Sequence, residues 1–180
     1  MAGLVDKGKI RSVGVSNYSA EQMVRAHKVL KDRGLPLASN QVHYSLLNRK
    51  IETNGVLQTA KELGITIIAY SPLESGLLSG KFHNEPNSFS NAALFRRFRL
   101  KLQIEKSREL IEVLKEIANV YSLTPAQVAL NWLINFNDEV VAIPGSSNAK
   151  QAQDNAAAMN FSLSSAELAK IDELSRKFQN

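Results

Sequence analysis

Val140-Val141-Ala142-Ile143, then Pro144-Gly145-Ser146-Ser147-Asn148, then Ala149-Lys150-Gln151-Ala152-Gln153-Asp154-Asn155 is the stretch on which the reading of the fold turns. A short apolar run with the look of a buried strand enters a Pro-Gly turn and passes directly into a helix start rich in hydroxyl and amide side chains. Two readings fit this stretch taken alone. Free backbone N–H groups at a helix N-terminus, with glycine allowing close approach and Ser and Asn adding donors, hold an anionic oxygen without a metal. An ordinary strand-to-helix connection capped by Ser147 or Asn148 has the same appearance.

The flanking segments repeat the pattern. Upstream, Thr124-Pro125 pairs an N-cap with a proline at the first helical position, and Val128 to Ile134 is apolar nearly all round, so Trp132 is expected in the core. A long helix is expected over roughly Leu102 to Tyr121, with Leu110, Ile111, Leu114, Ile117 and Ala118 inward. Before it, Glu74 to Arg99 reads as a long irregular segment, opening with Ser75-Gly76-Leu77-Leu78-Ser79-Gly80-Lys81. Loops of that length inside a compact domain serve as lids or binding segments, or else are disordered. Ile65 to Tyr70 is a near-continuous apolar strand of the kind buried on both faces of a parallel sheet, ending in Ser71-Pro72-Leu73.

Further towards the N-terminus, Val56 to Leu63 is a short amphipathic helix closed by Gly64. Ala38 to Ser45 is a strand in which Val42 and Tyr44 face one way and Gln41 and His43 the other, so Gln41 needs a polar partner in the protein or on a ligand. Ser19 with Gln22 three residues on marks a helix start, and Met23, Ala26, His27 and Leu30 give the helix one apolar face; His27 is read as a face residue rather than a ligand. Ile10 to Ser16 is a strand behind a helical tail that ends at Gly8. Downstream of the opening stretch, a helix runs to Met159, and Ser162 or Ser164 caps a last one with Leu168, Ile171 and Leu174 inward. Strands near 10–16, 38–44, 65–70 and 140–143 alternate with helices, which predicts an α/β domain over residues 1–180 with a parallel sheet. The polar clusters Ser16-Asn17, Gln41, Tyr70-Ser71-Pro72 and Gly145-Ser146-Ser147 all fall at strand C-termini, the ligand edge of such sheets.

Composition narrows the function. With 180 residues and 44% hydrophobic content the chain can bury a substantial core as one domain. There is no cysteine, so disulfides, thiolate metal sites and thiol nucleophiles are excluded. No apolar run reaches the roughly 18 residues of a membrane span, and the charged start is unlike a signal peptide, so a soluble cytoplasmic protein is expected. The net charge of +5 is spread over the chain and clusters only at Arg96-Arg97-Phe98-Arg99-Leu100-Lys101, so neither nucleic acid nor membrane is an expected partner; a nucleotide suits it better. No His, Cys, Asp or Glu cluster has metal spacing. A dinucleotide-binding G-x-G-x-x-G after the first strand is absent.

Gly8-Lys9-Ile10-Arg11, Gly14-Val15-Ser16-Asn17, Asn40-Gln41-Val42-His43-Tyr44-Ser45, Ala69-Tyr70-Ser71-Pro72-Leu73, Gly76-Leu77-Leu78-Ser79-Gly80-Lys81 and Ile143-Pro144-Gly145-Ser146 with Asn155 occur in one order along the chain. In that order they resemble the C-terminal half of an aldo-keto reductase, in the branch of the potassium-channel β-subunits and related plant and bacterial reductases. The resemblance implies half of a (β/α)8 TIM-type barrel, incomplete in this chain, that binds NADP(H) in extended form for hydride transfer to an aldehyde or ketone. Ser16, Asn17 and Gln41 resemble the residues that hydrogen-bond the nicotinamide carboxamide, and Tyr70 the ring that stacks on it. Ser71, Pro72, Leu73, Ser75 and Lys81 resemble the segment over the pyrophosphate. Gly145, Ser147, Gln151, Asp154 and Asn155 match the pocket for adenosine and the 2′-phosphate, where many relatives carry a basic residue in place of Ser147 or Gln151. The family's Asp, Tyr, Lys and His acid-base set comes from the first half of the barrel, and none of Tyr18, Tyr44, Tyr70 or Tyr121 stands in its setting. The expectation is a partial or truncated reductase with no catalytic residue of its own, reducing a carbonyl only when the other half is supplied. The alternative is a non-catalytic nucleotide-binding or interaction protein, such as a homodimer of half-barrels covering each other's sheet edges.

Overall fold

The structure is a computed structural model and describes residues 1–84 and 94–179. In chain order the elements are helix α1 (Ala2–Asp6), strand β1 (Val13–Ser16), α2 (Ala20–Lys31), β2 (Leu37–His43), α3 (Val56–Leu63), β3 (Thr66–Tyr70), α4 (Lys81–Asn84), α5 (Leu94–Val120), α6 (Pro125–Asn135), β4 (Val140–Ile143), α7 (Ala149–Ala157) and α8 (Ser165–Ser175). Three helix starts are written locally as capping boxes. Ser19 with Gln22, Thr124 with Gln127 and Ser164 with Glu167 each exchange side-chain and backbone hydrogen bonds across the first turn. Gly64 ends α3 in the left-handed region at φ 63°, and Ile65 N–H reaches back to the Ala60 carbonyl at 2.8 Å.

The four strands form one parallel sheet in the order β1-β2-β3-β4. Val15 pairs with Asn40, Asn40 with Ile67 and Ile67 with Val140, a row that points into the helices. On that side Met23, Leu37, Val42, Ile67, Ala69, Leu110, Ile111, Leu114, Val128 and Trp132 make one continuous core. Ser16, Gln41, Ile68 and Val141 form the neighbouring row on the opposite face.

The burial of β3 departs from the two-sided expectation. Ile67 and Ala69 are buried, whereas Thr66, Ile68 and Tyr70 are half-buried. In β4, Val141 and Ile143 are 52% and 45% exposed. The apolar run is continuous because both faces of a parallel sheet are normally covered, but among the described residues the helices pack on one face alone. The first strand is shorter than predicted because pairing begins at Val13 opposite Leu37. The segment expected to be irregular from Glu74 contains a 3-10 turn over Glu74–Ser79 and then α4, and α5 begins already at Leu94. Residues 85–93 of that segment, and the side chains of the basic cluster from Arg96 to Leu100, lie outside what is described.

Arg49, just beyond β2, ties the C-terminal helix to the body of the molecule. Its buried guanidinium donates to Glu52 through Nε and Nη2 at 2.7 Å each, to Asp172 Oδ1 at 2.6 Å, and to Ser175 Oγ at 2.6 Å. The same group lies 4.7 Å from the Trp132 ring centroid, and Tyr44 Oη donates to Glu52 at 2.7 Å. Burial works against ionisation of Asp172, but hydrogen bonds and charge from Arg49 and Arg176 outweigh it and hold the carboxyl below its ordinary value.

Two outcomes follow from this clasp. Arg49→Met removes the buried cation from Glu52 and leaves Asp172 to the exposed Arg176, and is expected to lower the unfolding free energy by about 3 kcal/mol in urea titration. A depressed folded-state value means that the Asp172 contribution is complete above the unfolded carboxyl value of 3.8 and is lost as pH falls through the lower folded one. Urea midpoints measured from neutral pH downwards should therefore fall more steeply in acid for the native chain than for Asp172→Asn.

Candidate functional site

Parallel strands deliver all their C-termini to one edge, and there the backbone leaves ordinary space. Among the described residues, those with side chains and positive φ, Ser122 apart, all lie at strand exits: Asn17 (56°) after β1, then Ser71 (52°), Glu74 (48°) and Ser75 (52°) after β3. Left-handed backbone is costly for residues with a Cβ, and clusters of it accompany sites where the surrounding structure dictates the chain path.

Beside this edge Ser16, Asn17, Gln41 and Tyr70 come together. Ser16 Oγ donates to the Gln41 carbonyl at 3.1 Å and Asn17 N–H to the same oxygen at 2.9 Å. Asn17 Nδ2 reaches Ser16 Oγ at 3.4 Å, and Tyr70 Oη donates to Asn17 Oδ1 at 3.3 Å, spanning from β3 across to β1. The Gln41 side chain lies on the uncovered face, opposite buried Asn40, whose amide is spent on the Tyr18 carbonyl at 3.0 Å. This edge therefore presents hydroxyl and amide groups next to an aromatic ring.

A cleft of about 1030 Å³ continues from this edge, between the turn after β3 and the turn after β4, with the N-terminus of α6 as its floor. It collects Ser71, Pro72, Leu73, Ser75 and Lys81 on one wall and Gly145, Ser147, Gln151, Asp154 and Asn155 on the other. Tyr70 and the β1–β2 group do not line the cleft itself. Thr124, Pro125 and Gln127 in the floor were missed as lining residues, since their sequence signal is fully accounted for by the helix cap.

The turn after β4 satisfies part of its own hydrogen bonding. Asn148 Oδ1 accepts from Gln151 N–H at 2.9 Å, so the capping reading of this stretch holds with Asn148 as the cap. The Gln151 side chain takes the Ser147 N–H at 2.7 Å, and Asn155 Nδ2 donates to Ser146 Oγ at 2.9 Å and to the Gly145 carbonyl at 3.3 Å. Lys150 is paired with Asp154 at 2.8 Å. Lys81 stands exposed on the opposite wall.

Tyr44 is fully buried, and burial together with Glu52 pushes its phenol far above the ordinary range, so it has neither access nor acidity for proton transfer. Among the described residues no group of His, Cys, Asp or Glu is arranged to hold a metal, and no helix is long and apolar enough to cross a membrane. A polar cluster unforeseen in the sequence links His43, the last residue of β2, and Ser45, just beyond it, to Glu74, after β3, through 2.6 Å hydrogen bonds. Nothing in residue spacing pairs positions 31 apart; only strand pairing brings them together.

Comparison with known proteins identifies the family of the chain. Residues 1–176 match the model of the aldo/keto reductase family. A pyridoxal reductase of Arabidopsis thaliana, described as chloroplastic, is 37% identical over 94% of this chain and 45% of its own length. The aldo-keto reductase str7 of Strobilurus tenacellus is 36% identical over 98% of this chain and 52% of its own. An L-glyceraldehyde 3-phosphate reductase of Escherichia coli is 33% identical over 96% of this chain and 51% of its own. The crystal structure of a thermostable aldo-keto reductase, Tm1743, in complex with the inhibitor epalrestat superposes with a TM-score of 0.74 at 29% identity, covering 97% of this chain and 52% of that one. The chain thus spans about half the length of the relatives it matches. A match that runs from the first strand through the last helix, together with identities above 30% to several reductases, places the chain in the aldo/keto reductase family.

Proposed function

We propose that this chain is the cofactor-holding portion of an NADP(H)-dependent carbonyl reductase, with the proton donor supplied by chain beyond these 180 residues. The observation that carries the reading is that the chain passes directly from Tyr70, bonded to Asn17 in the polar strand-end edge, to Ser71 in the wall of the 1030 Å³ cleft. Amide and hydroxyl groups for a carboxamide, an aromatic ring, a turn with Lys81 and an open Gly145 follow one another in the order a dinucleotide's parts would need.

The residues present fit such a group. Ser16, Asn17 and Gln41 offer both donors and acceptors, as a carboxamide requires. One face of Tyr70 is already stacked on His43, with centroids 5.2 Å apart and planes at 12°, so a nicotinamide ring would lie on its other face. A Cβ built on Gly145 meets nothing within 4 Å, so a ligand can approach that backbone closely. Lys81 supplies positive charge opposite the turn. The bound cofactor would supply hydride for a carbonyl carbon; the chain's own residues hold and orient the ring and shield the pyrophosphate from water. The tie between Lys150 and Asp154 leaves the adenosine end without a dedicated cation, so NADPH and NADH should differ in affinity less than a 2′-phosphate pocket with an unpaired arginine would make them. The small carbonyl substrate enters only when the rest of the barrel is supplied.

A second reading is favoured by the exposure of Val141 and Ile143 on the uncovered sheet face: two copies would cover each other and bind nucleotide without catalysis. Sedimentation separates the two, since a monodisperse monomer at micromolar concentration rules out the dimer.

Isothermal titration with NADPH should show one site per chain, with no aldehyde reduction by the chain alone. Lys81→Glu is expected to weaken NADPH about tenfold, a change of roughly 1.4 kcal/mol, and Tyr70→Ala by a similar factor. Turnover by the isolated chain would overturn the assignment of the proton donor to other sequence.

A further inference from the structure

The cluster joining the exits of β2 and β3 has no part in the dinucleotide contacts described above. Glu74 Oε1 accepts from Ser45 Oγ at 2.6 Å and pairs with His43 Nε2 at 2.6 Å. Asn48 Nδ2 donates to His43 Nδ1 at 2.7 Å. That contact fixes the ring: Nδ1 carries the lone pair and Nε2 the hydrogen it donates to the carboxylate. Ser45 Oγ in turn accepts the Leu47 N–H at 3.1 Å. The side chains of His43 and Glu74 are 33% and 14% exposed, so both bonds to the carboxylate are charge-assisted and largely shielded from water.

Two observations give this cluster a task. His43 and Tyr70 are direct partners in the sheet and their rings are stacked, so the residue that holds Glu74 also backs Tyr70. Glu74 itself sits at φ 48°, between Ser71 and Ser75 at 52°, in a turn closed by Glu74 N–H to the Ser71 carbonyl (3.0 Å) and Gly76 N–H to the Leu73 carbonyl (2.9 Å). A glycine would adopt that backbone with no steric cost. A carboxylate there, against the local preference, persists because its bonds to His43 and Ser45 hold it.

We propose that His43 and Glu74 form a latch that holds the Tyr70 ring and the Ser71–Gly76 turn, which walls the cleft, as a single rigid unit. The latch acts on cofactor binding through Tyr70, Leu73 and Ser75, and that part of the inference rests on the dinucleotide reading. His43 and Glu74 are positioning residues; neither touches the cofactor.

Amide hydrogen exchange tests the latch without any ligand. In Glu74→Gly and in His43→Ala, exchange at Gly76 and Leu78 should accelerate about tenfold or more, while the thermal midpoint of Glu74→Gly stays level or rises because the strained backbone is relieved. Glu74→Gln keeps an acceptor oxygen for His43 and should retain most of the protection. Nitrogen chemical shifts of the His43 ring should report the Nε2–H tautomer in the native chain. NADPH affinity, measured by titration, should fall about tenfold in Glu74→Gly and recover in Glu74→Gln. Unchanged exchange in both Glu74→Gly and His43→Ala would overturn the latch. Faster exchange with unchanged NADPH affinity would overturn its role in positioning the cofactor. If the native chain binds no NADPH, the dinucleotide reading fails, and the exchange data still decide whether the latch holds the turn.

Discussion

Asn40 pairs with Val15 on one side and Ile67 on the other, and Ile67 pairs in turn with Val140. Parallel pairing in this register forces each connection to cross back over the sheet, so a helix follows each strand, and it sends all four C-termini to the same edge. A shift of one residue in any pair would turn Val42 or Ile67 away from the helices and Gln41 towards them. The site exists because the register holds: Ser16, Gln41 and Tyr70 share the uncovered face, while Val15, Val42 and Ala69 face the core on the helix side.

The elements beyond the sheet are bound by a different kind of contact. Arg49 answers Glu52 and Asp172 with a planar fork and lies over Trp132, so one buried cation closes the C-terminal helix onto the core. Charge in that position is a matter of geometry more than of net stability, because desolvation consumes much of the attraction between the groups. Loss of either sign alone is what the molecule cannot tolerate.

At the strand exits the balance is reversed, with local backbone preference sacrificed for position. Asn17, Ser71, Glu74 and Ser75 occupy left-handed conformations that a loop free to choose would avoid. Two of them are held by hydrogen bonds that arrive from elsewhere in the sheet: Asn17 by Tyr70, and Glu74 by His43 with Ser45. Strain of this kind is sustained only on a rigid platform, and it concentrates where the cleft wall begins.

Much of this was legible in the residues. The capping boxes at Ser19, Thr124 and Ser164 and the left-handed stop at Gly64 involve partners within a few positions, so their chemistry is complete in a short window of chain. The resemblance grouped Ser71, Pro72, Leu73, Ser75 and Lys81 with Gly145, Ser147, Gln151, Asp154 and Asn155, and these residues line one cleft. Burial on the uncovered face of β3 and β4 was misjudged, because an apolar run reports what a sheet face can bury and carries no record of whether anything covers it. The bonds from Arg49 to Asp172, 123 residues apart, and from His43 to Glu74, 31 apart, could not be read at all. Local hydrogen bonds are encoded by neighbours; these pairs acquire their distance, and therefore their energy, only once parallel strand pairing has brought remote segments side by side.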